Sequence, residues 1–161
     1  ELEADTGMIV AVGSGTLNDM AKYMSSRTKI PYTIVCTAPS MDGYASSGAP
    51  LMNSGRKISY TATLPYAIAG DTDVMKNAPM RMIHAGYGDI IGKLTCLADW
   101  RLSHELTGEY YCETIVKLVQ KAIKKVVDHR KGLEERQEEA ILYLIEALTL
   151  TGVLKWGLQH P

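Results

Sequence analysis

The sequence predicts an α/β fold in which part of a Rossmann-like parallel sheet is followed by the start of an α-helical domain. Three observations carry this. Residues 8–21 read as a short apolar run, a turn bracketed by Gly13 and Gly15, and the opening of an amphipathic helix. A second run rich in β-branched and aromatic residues, Tyr32, Thr33, Ile34, Val35 and Cys36, follows one helix length later, and such alternation marks a parallel sheet. From about residue 85 the apolar residues recur at helical spacing almost to the end of the chain. The expected division therefore falls between residues 84 and 85, inside the stretch from Met80 to Asp89.

Taken in order, Ile9, Val10, Ala11 and Val12 suit a strand buried on both faces. Gly13 and Gly15 let the backbone turn sharply, and the unpaired N–H groups of Thr16, Leu17, Asn18 and Asp19 at the helix start can hold an anion. The turn is not G-x-G-x-x-G, because position 18 is Asn, and it lacks the Gly-Lys-Ser or Gly-Lys-Thr of a P-loop. It reads either as a phosphate cradle or as an ordinary glycine-bearing β–α corner. Leu17, Met20, Ala21 and Met24 form the apolar stripe of the helix, which ends in Ser25-Ser26-Arg27-Thr28.

The stretch Thr37-Ala38-Pro39-Ser40-Met41-Asp42-Gly43-Tyr44-Ala45-Ser46-Ser47-Gly48 leaves the carboxyl end of the second strand, where open α/β sheets bind ligands. It is rich in small polar donors, a composition that also suits a plain surface loop. Asn53-Ser54-Gly55-Arg56 reads as the turn of a small antiparallel flap joining residues 49–52 to 57–63. Residues 66–70 form another short strand ending at Asp71 and Asp73, which read as a cap or as a carboxylate pair. Residues 75–82 read as a short helix, with Pro79 inside it or starting a turn.

In the helical half, Ile90, Ile91, Leu94, Leu97, Ala98, Leu102 and Leu106 mark one face of a long helix with Asp89 in its first turn behind Gly86 and Gly88. A carboxylate there either caps the helix or ligates a metal at the crevice between the two halves. Lys93, one turn on, is its i, i+4 ion-pair partner. Residues 113–129 form a helix that Gly132 ends, with Lys117, Lys121, Lys124 and Lys125 on its wet face. The last helix covers residues 134–156, acidic at its start and with Lys155 near its end, as the helix dipole prefers.

Composition bounds the function. With 46% hydrophobic residues the chain can bury one sizeable core, and a net charge of −1 gives no electrostatic reason to expect nucleic acid or an anionic membrane as partner. No apolar run reaches the ~20 residues that span a bilayer. Cys36, Cys96 and Cys112 are widely spaced and read as buried free thiols in a reducing compartment, the cytoplasm. No spacing supports Cys36 as a nucleophile, and His84, His104, His129 and His160 show no metal-pair spacing. The chain begins at Glu1 rather than Met and stops directly after a strong helix, so a fragment of a larger protein is expected.

Three stretches in order carry a resemblance: Gly-Ser-Gly-Thr-Leu-Asn-Asp at 13–19, Thr-Ala-Pro-Ser-Met-Asp-Gly-Tyr-Ala-Ser at 37–46 and Gly-Tyr-Gly-Asp at 86–89. With Ala98-Asp99-Trp100-Arg101-Leu102 behind them, they resemble the glycerol-1-phosphate dehydrogenases of the dehydroquinate synthase and iron-type alcohol dehydrogenase superfamily. The likeness covers nearly all of the chain and implies a dehydroquinate synthase-like fold. It implies that Gly15, Thr16, Leu17, Asn18 and Asp19 hold the pyrophosphate of NAD or NADP, with Thr37, Ala38, Pro39, Ser40 and Ser46 along its ribose and nicotinamide end. Asp42 would hold substrate, and Asp89 would bind a divalent metal, zinc or nickel, and lie against the substrate.

The implied reaction is reversible reduction of dihydroxyacetone phosphate to sn-glycerol 1-phosphate, by a cytoplasmic homo-oligomer without nucleic-acid or membrane partners. The family's two metal-binding histidines and a third at the substrate, in a Ser-Gly-x-Glu-His type stretch, are not matched, and His160 fits no ligand position. An incomplete site is therefore expected in this chain alone, with no residue assigned to the catalytic step. The other readings are a glycerol or other polyol dehydrogenase of the same superfamily, and a non-catalytic nucleotide-binding or interaction fragment.

Overall fold

The computed structural model describes residue 3 and residues 5–159, with side chains through residue 154. His160 and the side chain of Lys155 lie outside the described residues. Strand β1 (Ile9–Gly13) leads through Ser14 into helix α1 (Gly15–Thr28), which stops on Lys29 in the left-handed conformation with φ 64°. Strand β2 (Tyr32–Cys36) is followed by a loop holding a 3-10 turn (Gly43–Ala45), then by a hairpin of β3 (Gly48–Asn53) and β4 (Arg56–Thr61). Strand β5 (Ala67–Gly70), helix α2 (Thr72–Met75) and helices α3 (Met80–Thr107), α4 (Glu113–Asp128), α5 (Arg130–Glu134) and α6 (Glu138–Gln159) complete the order. β1, β2 and β5 form a parallel sheet with β2 in the middle, Ile34 lying between Ala11 and Ile68.

The strands stand where β-branched residues and periodicity place them. The hairpin turns on Ser54 and Gly55, both at positive φ (50° and 78°), as a two-residue turn between right-twisted strands requires. Asp71 is a cap, its side chain accepting the Asp73 N–H at 2.8 Å. One hydrophobic core joins the inner sheet face at Tyr32, Ile34 and Cys36 to Ile83 and Ile90 of α3 and to Ile141, Leu144, Ile145 and Leu148 of α6.

Several expectations are corrected. β1 is not buried on both faces: Val10 and Val12 are 62% and 57% exposed, because nothing among the described residues covers that side of the sheet. The turn at α1 leaves fewer open donors than residues 16–19 suggest, since the Asn18 N–H already donates to the Ser14 carbonyl. A single helix over residues 75–82 does not form; α2 ends at Met75 and α3 begins behind Pro79, whose fixed φ suits a helix start. Asp89 is therefore almost three turns inside α3 and caps nothing, and position 84/85 lies within one continuous helix. The α3 stripe is buried only in part, with Leu94, Leu102 and Leu106 exposed.

Gly132 does not end α4. It lies in α5, where a Cβ would meet the Ala140 Cβ at 2.9 Å, and α6 starts at Glu138 rather than at residue 134. Of the cysteines only Cys36 is buried; Cys96 is exposed and Cys112 half-buried, and all three are free thiols.

Helix α1 inverts the expected amphipathic pattern. Of its expected apolar stripe only Ala21 is buried; Leu17, Met20 and Met24 face outward, and Asn18, Lys22 and Ser25 face in beside Ala21. The reason is the loop between β2 and β3, whose backbone carbonyls point toward the helix and need donors. Asn18 Nδ2 donates to the Gly43 carbonyl at 3.1 Å, and Tyr32 Oη approaches Asn18 Oδ1 at 3.4 Å. Lys22, with no exposed surface, donates to the Gly43 carbonyl, to Ser46 Oγ at 3.0 Å and to the Gly48 carbonyl at 3.1 Å, and lies 3.5 Å from Asp19 Oδ1.

The same loop is gripped from the other side by glycines. A Cβ on Gly86 of α3 would stand 1.9 Å from the Pro39 carbonyl oxygen, and one on Gly152 of α6 would stand 2.2 Å from the Asp42 carbonyl oxygen. Both contacts are with backbone that cannot swing aside.

Two stability predictions follow from this clamp. Gly86→Ala forces α3 away from the loop and is expected to cost about 3 kcal/mol, read as a lowered urea midpoint at unchanged slope. An unchanged midpoint would contradict the close approach. Lys22→Met strips a donor from the Gly48 carbonyl and the counter-charge from Asp19, and is expected to cost about 3 kcal/mol and expose residues 41–48 to limited proteolysis. Wild-type resistance of that segment in the variant would show that Lys22 does not hold it.

Candidate functional site

The loop that α1, α3 and α6 clamp forms the floor of a cleft of about 830 Å³ at the carboxyl end of the sheet. One wall is the start of α1, with Gly15, Thr16 and Asp19; the loop gives Asp42 and Ser46; the hairpin gives Lys57 and Tyr60. Helix geometry leaves the N–H groups of Gly15, Thr16 and Leu17 without intrahelical acceptors, so this wall offers donors and the positive end of the helix dipole to an anion. Asp19 places a carboxyl in the same cleft; burial raises its pKa, with the Lys22 charge and hydrogen bond pulling the other way.

A second cavity of about 420 Å³ opens between α3, α4 and α6, lined by Lys93, Leu97 and Trp100 among others, and Asp42 borders both spaces. Around Asp42 the charges are tightly arranged. Its backbone N–H donates to Asp89 Oδ2 at 2.8 Å. Lys93 Nζ donates to Asp89 Oδ1 at 2.7 Å and lies 2.7 Å from Asp42 Oδ2. The contact with Asp42 is an ion pair without hydrogen-bond alignment, so Asp42 Oδ2 is a buried oxygen with no hydrogen-bond donor among the described residues. Burial lowers the Lys93 pKa, but its close contacts with the Asp42 and Asp89 carboxylates outweigh it and the net shift is upward.

Of the residues named from the sequence, Gly15, Thr16, Asp19, Asp42 and Ser46 line the one cleft, and Asp89 meets Asp42 from behind. Leu17 is on the outer face of α1, and the buried Asn18 side chain is engaged by the loop. Thr37 N–H donates to the Gly13 carbonyl at 3.3 Å, and Ser40 Oγ pairs with Ser14 Oγ at 2.9 Å. Ala38 and Pro39 are buried, with the Ala38 carbonyl accepting from Tyr44 Oη at 2.8 Å, and like Thr37 and Ser40 they stand behind the cleft rather than lining it.

Sequence reasoning missed Lys22, Lys57 and Tyr60. For Lys57 a signal existed: the period-two alternation of β4 sets Lys57, Ser59 and Thr61 on one face, and all three line the cleft. For Lys22 the only signal was its place one turn after Asn18 and Asp19.

A divalent metal suits this donor set in kind. Two carboxylates converge on one cation, the Lys93 ammonium, and hard oxygen ligands of this kind also suit a divalent ion in its place. They do not complete a coordination sphere: among the described residues no three His, Cys, Asp or Glu groups come together. His84 pairs with Glu134, while the Nδ1 atoms of His104 and His129 meet the backbone carbonyls of Glu109 and Lys125. Cys36 is packed in the core, and burial pushes its thiol up to about 12, which keeps it protonated and inert at neutral pH. No helix among the described residues is long and apolar enough to cross a membrane.

Comparison with known proteins agrees with this architecture. Residues 1–79 match the family model for iron-containing alcohol dehydrogenases. A relative from Bacillus velezensis named glycerol-1-phosphate dehydrogenase is 40% identical over 159 residues, 99% of this chain and 40% of that protein. One of the same name from Bacillus subtilis is 37% identical over 96% of this chain and 39% of its own length. The chain thus spans about 40% of the length of the curated relatives it matches. In structure it superposes on glycerol dehydrogenase from Schizosaccharomyces pombe with a TM-score of 0.81 at 23% identity, covering 94% of this chain and 41% of that one, which establishes the shared fold. A clamped loop at the carboxyl end of a parallel sheet and a helix start facing it accompany this likeness: over nearly its whole length the chain is similar to proteins named glycerol-1-phosphate dehydrogenase, and its first 79 residues match the family of iron-containing alcohol dehydrogenases.

Proposed function

We propose that the whole protein is a metal-dependent sn-glycerol-1-phosphate dehydrogenase that reversibly reduces dihydroxyacetone phosphate with NADH or NADPH. The single observation that carries this is convergence: the start of α1, the loop around Asp42 and Asp89 of α3, far apart in sequence, meet at Asp42. Relatives named for this activity, with NAD(P)+ in their names, support the choice of substrate and cofactor. In this reading residues 1–84 supply part of the nucleotide-binding domain and residues 85–161 the first part of the metal and substrate domain, with α3 continuous between them.

Each residue then has a task that its place permits. The N–H groups of Gly15, Thr16 and Leu17 and the Thr16 hydroxyl hold the pyrophosphate, with Lys57 across the cleft adding positive charge. Asn18 acts indirectly, by fixing the loop, while Asp19 and Ser46 border the cofactor. Thr37, Ala38, Pro39 and Ser40 stand along its ribose and nicotinamide end, with Thr37 and Ser40 tying the loop to Gly13 and Ser14. Asp42 orients the substrate and Asp89 contributes an oxygen ligand to zinc or nickel and lies against the substrate. When bound, the metal supplies carbonyl polarisation and the cofactor the hydride. The remaining metal ligands come from outside the described residues. We further read the protein as a cytoplasmic homo-oligomer.

The test is NADH- or NADPH-dependent reduction of dihydroxyacetone phosphate by the whole protein loaded with zinc or nickel. Turnover with the phosphorylated triose and little with free dihydroxyacetone is expected; the reverse preference would make it a polyol dehydrogenase, and no turnover with either metal would end this reading. Asp89→Asn should lose bound metal and at least about a hundredfold in kcat/KM, since even outer-shell changes cost 10–100-fold. Retained metal would leave Asp89 as a structural partner of Asp42 only. The isolated 161-residue chain is expected to bind NADH weakly or not at all by equilibrium titration, and micromolar binding would favour a nucleotide-binding fragment with a self-sufficient site.

A further inference from the structure

The arrangement of Lys93 goes beyond an i, i+4 ion pair. Its ammonium is 2.7 Å from Asp89 Oδ1 and 2.7 Å from Asp42 Oδ2, and so stands at the point where the two carboxylates converge. All three side chains are largely shielded from water, at 16%, 28% and 13% exposure for Lys93, Asp89 and Asp42. Two carboxylates this close need a cation between them. The third strand of the arrangement is backbone: the Asp42 N–H on Asp89 Oδ2 ties the loop to α3 through the same carboxylate.

We propose that Lys93 is a built-in substitute for the divalent cation: without metal its ammonium neutralises Asp42 and Asp89 and keeps the loop shut on α3, and metal binding at Asp89 displaces it. The inference rests on the reading of Asp89 as a metal ligand. An ammonium and a divalent ion cannot share Asp89 Oδ1 at contact distance without strong repulsion. Displacement therefore frees Lys93 and leaves Asp89 Oδ2 still able to accept from the Asp42 N–H, so the loop stays seated while the cation changes. Lys93 is in this sense a positioning residue: it holds the ligand and the substrate-facing loop in register before metal arrives, at the expense of metal affinity.

The experiment uses the whole protein stripped of metal and titrated with zinc alone by calorimetry, as wild type, Lys93→Met and Lys93→Gln, the last keeping a hydrogen-bond donor in case the first does not fold. Loss of the competing ammonium is expected to tighten zinc binding about tenfold, the equivalent of one charge-assisted hydrogen bond. In parallel, acylation of the Lys93 amine in the wild type, followed by mass spectrometry, should speed up severalfold when zinc is bound, because the displaced side chain leaves its two carboxylates and reaches solvent. Unchanged or weaker zinc binding in both variants, or unchanged Lys93 labelling, overturns the proposal. If Asp89→Asn binds zinc like the wild type, or the wild type binds none, the ligand reading itself falls and the displacement with it. Failure confined to the Lys93 arms leaves that reading standing.

Discussion

The structure depends on one constraint: the loop between β2 and β3 carries inward-facing carbonyls and must have donors and room for them. Lys22 and Asn18 of α1 supply donors from one side. Gly86 of α3 and Gly152 of α6 supply room from the other, by lacking a side chain where the Pro39 and Asp42 carbonyls arrive. A buried lysine is costly unless its hydrogen bonds are met, and here three loop oxygens accept from one ammonium. The loop and α1 consequently stabilise each other, and neither could be shifted without leaving a buried charge or carbonyl unpaired.

From that clamp the cleft follows. The loop is held at the carboxyl end of the sheet, so the α1 start borders the same open cleft as Ser46 and Asp42. On its far side the loop presents the Asp42 N–H to Asp89 and brings its own carboxylate against Lys93. Open backbone donors at the α1 start and the paired carboxylates of Asp42 and Asp89 thus lie on opposite sides of a short stretch of backbone. A phosphate-bearing cofactor and a metal-held carbonyl substrate need such a separation if they are to meet without neutralising each other's sites.

Strand placement was legible because the apolar runs of β1, β2 and β5 and the Asn-Ser-Gly-Arg turn are local signals that no distant contact reverses. The cleft residues Gly15, Thr16, Asp19, Asp42 and Ser46 were legible through motifs. The inward face of α1 was not, because periodicity counts apolar residues, whereas this helix is oriented by carbonyls that belong to a loop more than twenty positions away. The start of α3 was misplaced for a related reason: Gly86 and Gly88 look like a helix beginning, but Gly86 is an interior residue kept small by Pro39.

The sequence by itself determined the strands, the parallel character of the sheet and the chemical kinds of residue near the cleft, since these depend on local propensity and on short-range spacing. Only the tertiary structure decided that Lys22 is buried, that Asp89 is no cap, and that Lys93 pairs with Asp42 as well as with Asp89. Those outcomes depend on where the loop's carbonyls and carboxylates lie in space, and the cost of leaving such groups unpaired is felt only when chain segments 20 to 50 residues apart are brought into contact.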